Sequence, residues 1–471
     1  MYLLEIVFVL IATGLVVAQN VRAGQRKHLL ALFAAGLSTL VLSAALGQPR
    51  WQMVPAGLVF ATSSLLLLRR AYSHAAIRSV GVFLGAVFLA ISVTLSRGLP
   101  VFTLPAPDGP HVVGSTSLSL VDEGRDNSFF GAPTEPRELY VQIWYPGAIV
   151  ASESEPRART LWEELYRGDL DGFTVFTRYL RGVKTHSYQD IPLASAQASY
   201  PVIVFSHAIV SFAEQNTLLT EHLASHGYVV VGISHTYASM RVLSSAGTAV
   251  YPDLPKINSA SAEADALAAE LAPRIERAGS PEERASLRLE QYERATALNE
   301  LAEIWVDDLR FVLDEIPRAP AFENRIDADR VGLLGMSFGG AAVTEFCKVD
   351  ARCRAALSMD GGMFGQRQRE PLEVPYLALL REGRSADHLL ATSRNDFYEI
   401  EVQGATHLDF TDDTIVLPML KWLNMTGTIA AERIIEITNA VALRFFDAYL
   451  RGGPKPRFDG EFPELTVDVN G

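Results

Sequence analysis

The chain has 471 residues, with 41 Lys and Arg against 54 Asp and Glu and a formal net charge of −13. It is too long for one ordinary domain, and its charge is unevenly spread. Residues 1–98 hold one acid, Glu5, and carry about +7, while the remainder carries about −20. An acidic main portion argues against nucleic acid as a partner.

Four apolar runs fill the first 98 residues: Tyr2–Ala18, Leu29–Leu46, Met53–Leu68 and Val80–Leu95. Each is near the length that crosses the hydrocarbon of a bilayer, the third and fourth being short. They are apolar all round, unlike the amphipathic helices of a soluble fold. A cleaved signal peptide is the competing reading of the first run, but no basic segment precedes it and three runs follow. The expectation is a four-span transmembrane module over 1–98, with the lipid bilayer as partner. Arg22, Arg26 and Lys27 separate runs one and two; Arg69, Arg70 and Arg78 separate runs three and four. Only Arg50 separates runs two and three. The positive-inside rule then puts the first and third loops in the cytoplasm. The chain reads as multi-pass in the cell membrane, with the portion after residue 98 outside the cytoplasm.

Pro100, Pro105, Pro107 and Pro110 mark residues 99–112 as a stiff linker. Beyond it, Thr116–Val121 and Leu139–Trp144 read as an opening antiparallel pair. Strand-like runs follow at Val202–Phe205, Val229–Ile233, Val331–Leu334, Ala355–Ser358, Tyr376–Leu380 and Tyr398–Val402. Helical stretches separate most of them. The alternation predicts an α/β domain over 113–471, a mainly parallel sheet with helices on both faces. Two insertions, 160–183 and 259–300, are candidate lids. The first is rich in aromatics (Trp162, Tyr166, Phe173, Phe176, Tyr179). The second opens a helical pair reaching Ile316 and broken at Gly279-Ser280-Pro281, where Ser280 caps and Pro281 starts the next helix. On that helix Leu287, Leu298, Leu301, Trp305, Leu309 and Val312 share one face, and its last third reads as a scaffold helix on the sheet.

The most informative run is Val331-Gly332-Leu333-Leu334-Gly335-Met336-Ser337-Phe338-Gly339-Gly340. An apolar strand ends in Gly-x-Ser-x-Gly and feeds small, helix-compatible residues. In that context the pattern is a nucleophile elbow. The sharp turn admits no bulk beside the serine, which Gly335 and Gly339 satisfy. A serine needs a base held by a third group, and in this fold class the acid and then the histidine follow it. Two histidines qualify by order, His388 and His407. His407 lies just past the last predicted strand, where a loop can return it to the elbow, and is preferred. Two acids compete. Asp360 ends a strand and precedes two glycines; Asp387 lies past the next strand. Asp360 is preferred. The oxyanion hole needs two backbone N–H groups. One is that of Phe338, and the other comes from the loop Phe205–Val210. His207 in that loop reads as a brace rather than a base.

Two further pairs stand out. His222 and His226 lie four apart on a helix, a metal-like spacing. No Glu follows the first, and His226-Gly227 reads better as a helix end with a glycine cap. Cys347 and Cys353 are six apart at a helix-to-strand junction. In an oxidising compartment they are expected to form a disulfide.

Together these residues resemble the plasma-type platelet-activating factor acetylhydrolases and their bacterial α/β-hydrolase relatives, near the dienelactone hydrolases. The resemblance spans roughly 113–450 and is strongest at four places. These are Pro201–His207, Gly335–Ala341, Leu357–Asp360 with Met363-Phe364, and His407 with Asp409-Phe410. It implies an α/β-hydrolase fold, a triad of Ser337, Asp360 and His407, and oxyanion donors at Ile209 and Phe338. It also implies a serine esterase without metal or organic cofactor, acting on a small ester or a short-acyl lipid. Met336 stands where the family usually has His, Ala208 where it has Gly, and Gly361-Gly362 where it has bulkier residues. Other acyl hydrolases (lactonase, polyesterase, thioesterase) are the nearest rivals. A non-catalytic membrane receptor or scaffold on the same fold is the distant one.

Overall fold

A computed structural model describes residues 3–18, 26–46, 50–69, 75–149, 158–161, 163, 177–458 and 460–470. Four helices open the chain: α1 (Leu3–Ala18), α2 (Arg26–Ala45), α3 (Val54–Arg69) and α4 (Ala75–Gly98). Helix α1 packs against the other three around Phe8, Ala12, Leu15, Ala56 and Phe60. Leu3, Leu10, Val41 and Phe83 are each more than 60% exposed. Among the described residues, one stretch, Ser79–Gly98, is both long and apolar enough to cross a membrane. Leu3–Ala18, Leu30–Ala45 and Trp51–Leu66 are apolar but shorter. Four apolar helices stand where four spans were expected, but only one of them has full crossing length, so a four-span segment is not supported. Polar ends shorten two of the others: α2 begins Arg26-Lys27-His28, and α3 ends at Arg69. Arg22 and Arg70, which informed the topology, lie outside the described residues.

The catalytic portion is built on one large sheet. Its first strands, β1 (Val112–Asn127) and β2 (Ala132–Gly147), form the expected antiparallel pair, longer than predicted and turned at Gly131. Then come β3 (Ala158–Thr160), β4 (Lys184–Gln189), β5 (Tyr200–Ser206) and β6 (Val229–Ser234). A small separate hairpin, β7 (Val242–Leu243) and β8 (Ala249–Val250), precedes β9 (Ile326–Met336), β10 (Cys353–Met359), β11 (Tyr376–Arg381), β12 (Phe397–Val402) and β13 (Leu465–Asn470). The sheet order is β13-β12-β11-β10-β9-β5-β6-β2-β1-β4-β3. Strands β6, β5, β9, β10, β11 and β12 are mutually parallel. Strand β2 joins β6, and β13 joins β12, antiparallel.

The helices that flank the sheet are α5 (Thr217–Ser225), α6 (Leu254–Glu276), α7 (Pro281–Arg294), α8 (Thr296–Glu315), α9 (Phe338–Val349) and α10 (Ala431–Arg451). Alternation along β5 feeds both layers. Val202 and Val204 face Trp305, Leu309 and Val312 of α8, while Ile203 and Phe205 face the layer of α5 and α10. Gly332 in β9 lets α10 approach: a Cβ there would lie 2.7 Å from Phe446 and 2.8 Å from Leu450.

The predicted helical pair is in fact three helices. Ser280 caps α7 by accepting from Glu283 N, and Pro281 is its first residue, as expected. A further break falls at Ala295, between α7 and α8. There the Asn299 amide donates to the carbonyls of Tyr292 and Glu293 at the end of α7, beside the Ala295 N–H that also reaches Tyr292 O. Leu287 therefore packs with Leu271 and Ile275 of α6, whereas Leu298 to Val312 pack on the sheet. Of the aromatic insertion, Trp162, Tyr166, Phe173 and Phe176 lie outside the described residues. Cys347 and Cys353 are disulfide-bonded across the α9-to-β10 turn, with Cα atoms 5.2 Å apart.

Candidate active site

Ser337 sits between the end of β9 and the start of α9 with φ 55° and ψ −117°. A non-glycine residue held there stores about 1–3 kcal/mol of strain, which only a well-packed surround sustains. The surround is glycine because it must be. A Cβ on Gly335 would lie 2.3 Å from Gly339 O, and one on Gly339 would lie 2.0 Å from Ser206 O. One on Gly340 would lie 2.2 Å from Ser358 Oγ. The turn is pinned to the next strand by Ser337 N–H donating to Met359 O at 2.9 Å.

His407 and Asp360 converge on this serine. His407 Nε2 lies 2.9 Å from Ser337 Oγ, and His407 Nδ1 lies 2.5 Å from Asp360 Oδ2. A carboxylate only accepts, so Nδ1 carries the proton and Nε2 accepts from the serine hydroxyl. Asp360 is buried at the carboxyl end of β10, with its own N–H on Leu379 O at 2.7 Å. Burial pushes its pKa up, but the His407 hydrogen bond and the Arg384 and Arg381 charges outweigh that and hold it below the ordinary value. Arg384 reaches Asp360 Oδ1 at 3.1 Å and the carbonyls of Asp360 and Gly361 at 2.9 and 2.7 Å.

The histidine loop is held by Asp409. Its Oδ2 accepts from Thr406 N–H at 2.7 Å, Thr406 Oγ1 at 2.8 Å and Gly427 N–H at 2.7 Å. The short 3-10 turn His407–Phe410 thus starts with a capping box, and His407 is its first residue.

On the other side of the serine is the loop after β5. The Ala208 N–H donates to Gln215 Oε1, Val210 N–H to Ala238 O, and Ser211 N–H to Ala208 O. Among the described residues no hydrogen bond engages the Ile209 N–H, which these neighbours leave unspent. Phe338 is the first residue of α9, so its N–H has no acceptor inside the helix.

His207 is fully buried. Its Nδ1 lies 2.6 Å from Ala208 O and its Nε2 lies 2.8 Å from Ser239 Oγ. Burial and the neighbouring His235 hold its pKa well below the usual histidine value. It braces the loop, as the sequence suggested.

Behind it lies a network the sequence did not reveal. Buried Asp308 accepts from both Arg137 Nε and Nη2 at 2.6 Å, from Arg125 Nη1 at 2.9 Å and from His235 Nδ1 at 2.8 Å. His235 Nε2 in turn accepts from Ser206 Oγ at 3.0 Å, at the root of the loop. Trp305 stacks on His235 at 3.8 Å and meets Phe338 edge-on at 4.9 Å. The only available sequence signal was Asp308 itself, an acid three residues past Trp305 on an otherwise apolar face.

The rival residues go elsewhere. Asp387 pairs with Arg284 at 3.0 Å. His388 is buried against Tyr292, its pKa pushed down to about 3 chiefly by burial. Tyr292 of α7 also meets Phe364 at 5.1 Å, and Phe364 stacks on Phe338 at 5.7 Å. Gly361 and Gly362 are explained by this crowding. A Cβ on Gly361 would lie 2.2 Å from Ser358 Oγ, and one on Gly362 would lie 3.0 Å from Phe364. His222 and His226 lie away from the serine, at the end of α5, with Gly227 at φ 96° ending the helix as expected.

A mainly parallel sheet with the serine turn at its centre defines a hydrolase of the α/β type, and a solved structure agrees. A ferulic acid esterase from Streptomyces cinnamoneus is similar to 78% of this chain and 99% of its own, with a TM-score of 0.60 and 26% identity. The chain belongs to the family described as platelet-activating factor acetylhydrolase, isoform II, whose profile matches residues 100–453. A platelet-activating factor acetylhydrolase of Cavia porcellus is 26% identical over 363 residues, covering 74% of this chain and 78% of that protein. One of Gallus gallus is 25% identical over 379 residues, covering 74% and 84%. The protein is a carboxylic ester hydrolase. The apolar helices before residue 99 lie outside the family match.

Proposed function

We propose that this is a membrane-anchored serine esterase in which Ser337, His407 and Asp360 act as the catalytic triad on a short-acyl lipid or phospholipid ester. The observation that carries this reading is the continuous contact from Ser337 Oγ through His407 to Asp360, 2.9 and 2.5 Å. Ser337 Oγ attacks the ester carbonyl while His407 Nε2 takes its proton. Asp360 keeps the ring oriented and stabilises the imidazolium. The N–H groups of Phe338 and Ile209 receive the oxyanion. His407 then protonates the departing alcohol oxygen, leaving an acyl-serine. Water, deprotonated by the same imidazole, attacks the acyl carbonyl and releases the acid. Every step uses side chains and backbone N–H groups of this chain.

Phe338, Phe364 and Tyr292 form an aromatic wall beside the serine, which favours a small acyl group. Helix α7 supplies Tyr292, and we read α6 and α7 as the cover of the site. Two observations support anchoring: the exposed apolar surface of the first four helices, and the asymmetry of their loops, six Lys and Arg in the first and third against Arg50 alone in the second. Arg50 supports placing the hydrolase on the side of the second loop. It pairs with buried Glu5 at 3.1 Å, donates to Leu99 O and lies 5.6 Å from the Tyr179 ring. The resemblance to a ferulic acid esterase favours an aromatic ester as the second reading.

A substrate panel separates the two. p-Nitrophenyl esters of increasing acyl length, an sn-2-acetyl phospholipid in vesicles and methyl ferulate are offered to the full chain and to Ser337→Ala. Acetyl esters should lead in kcat/KM, with turnover down about 10⁴-fold or more in the variant. A preference for methyl ferulate by tenfold or more would replace the lipid reading with the aromatic one.

A further inference from the structure

Sequence alone set the His222 and His226 pair aside, since no Glu follows the first and His226-Gly227 reads as a helix end. The fold supplies a third donor from the linker. Gly109 N–H donates to Ser225 Oγ at 3.2 Å and His111 N–H to Ser225 O at 3.0 Å, so the linker is laced to the end of α5. Asp108 is thereby held over both imidazoles. Its Oδ1 lies 3.1 Å from His222 Nδ1 and 3.6 Å from His226 Nε2, and the three donor atoms lie within 4.8 Å of one another.

The His226 contact has a specific electronic character. His226 Nδ1 lies 2.9 Å from the His222 carbonyl, which can only accept, so the ring proton is on Nδ1. On the neutral ring Nε2 presents a lone pair to a carboxylate oxygen, a pair of acceptors that a bound cation would bridge; on the protonated ring the same contact is an ion pair. A carbonyl fixing the far ring nitrogen is also how metal-ligating histidines are usually oriented. Metal–ligand bonds of about 2.0–2.2 Å at tetrahedral angles put donors about 3.3–3.6 Å apart, close to the spacing seen. His222 is buried beside His226, their ring centroids 4.5 Å apart. Arg451, the cation beside Gly227, is occupied by Asp447 at 3.1 Å and the His226 carbonyl at 2.7 Å.

We infer that Asp108, His222 and His226 form a site for one divalent transition-metal ion, of the zinc class, that clamps the linker to the hydrolase domain. Two imidazoles and one carboxylate select such ions over Ca²⁺ and Mg²⁺, which prefer all-oxygen shells. The Asp108 side chain is 79% exposed, so water completes the coordination. The site is separate from Ser337, and its role is to fix how the helical module leads into the catalytic domain.

The test uses the full chain in detergent, without a histidine tag, stripped with chelator. Zn²⁺ is titrated against a chromophoric indicator and Co²⁺ is followed by visible absorption. One equivalent should bind with Kd below about 10 μM, and Co²⁺ should develop the intense bands of a four-coordinate site. Asp108→Ala, at an exposed position that leaves the core intact, and His226→Gln should each weaken Zn²⁺ at least about tenfold. Esterase activity of the stripped Asp108→Ala protein should persist. Failure of Zn²⁺ to bind, or binding that survives Asp108→Ala, would overturn the site.

Discussion

Two carboxylates compete on paper for the histidine, and their surroundings separate them. Asp360 is fully enclosed, faces His407 Nδ1 and has Arg384 and Arg381 stabilising its charge. Asp387 is spent on Arg284. Asp360→Asn should therefore lower turnover about 10³- to 10⁴-fold by disturbing the imidazole tautomer. Asp387→Asn should change it less than about threefold, which steady-state kinetics on a p-nitrophenyl ester would read. Reversed effects would move the acid to the later loop. Asp409 is a positioning residue: it holds three donors around His407 but does not reach the serine. Asp409→Ala should lower kcat with little change in KM. The convergence of Ser337, Asp360 and His407 was legible because each follows a strand in a short, glycine-marked segment. The roles of Arg384 and His235 were not, because their partners are set by loops that meet only after folding. The value of Asp108 was hidden for the same reason: 114 positions separate it from His222.

Elements with continuous apolar runs were the easiest to find. The central strands lie within one to five residues of where the runs placed them, because burial on both faces leaves no alternation to misread. The edge was harder. Strand β4 has a polar surface, and β13 (Leu465-Thr466-Val467-Asp468-Val469-Asn470) alternates with period two but follows a stretch without strand signals. The break between α7 and α8 carries neither Gly nor Pro; Asn299 is what stabilises it, and that needs the tertiary fold. The Asp308 network is the main polar tie between elements, joining β1, β2, the end of β6 and α8. Burial opposes the Asp308 charge, but Arg137, its hydrogen bonds and His235 win and hold its pKa far below the ordinary value. Its folded pKa is depressed, so its stabilisation is complete above the unfolded value of about 4 and is lost as pH falls below that. Asp308→Asn leaves buried Arg137 without its anion and should cost about 3–5 kcal/mol at neutral pH. Denaturant unfolding against pH should show a gap between wild type and variant that is constant above about pH 5 and narrows toward pH 3. A pH-independent gap would mean that the loss is packing rather than charge.

At the scale of the whole molecule, an acidic hydrolase follows a basic, apolar helical module through a proline-marked linker. Composition marks the division; the length of each apolar helix was not legible, because polar helix ends subtract from apolar runs. If the loops orient the module as proposed, the hydrolase lies outside the cytoplasm, where the Cys347–Cys353 bond is stable. Alkylation of the unfolded, unreduced protein should then label neither cysteine, and a tag after Gly471 should be reached from outside the cell. Two reactive thiols with a cytoplasmic tag would invert the topology and leave the esterase intact. The central claim is chemical, that Ser337 is the nucleophile of this hydrolase, and it is tested most directly by treating the full chain with a fluorophosphonate and mapping the adduct by peptide mass spectrometry. A single adduct on Ser337, formed in step with loss of esterase activity and absent in His407→Ala, is the predicted result. Activity lost while Ser337 remains unmodified, or an adduct on another serine, would contradict it.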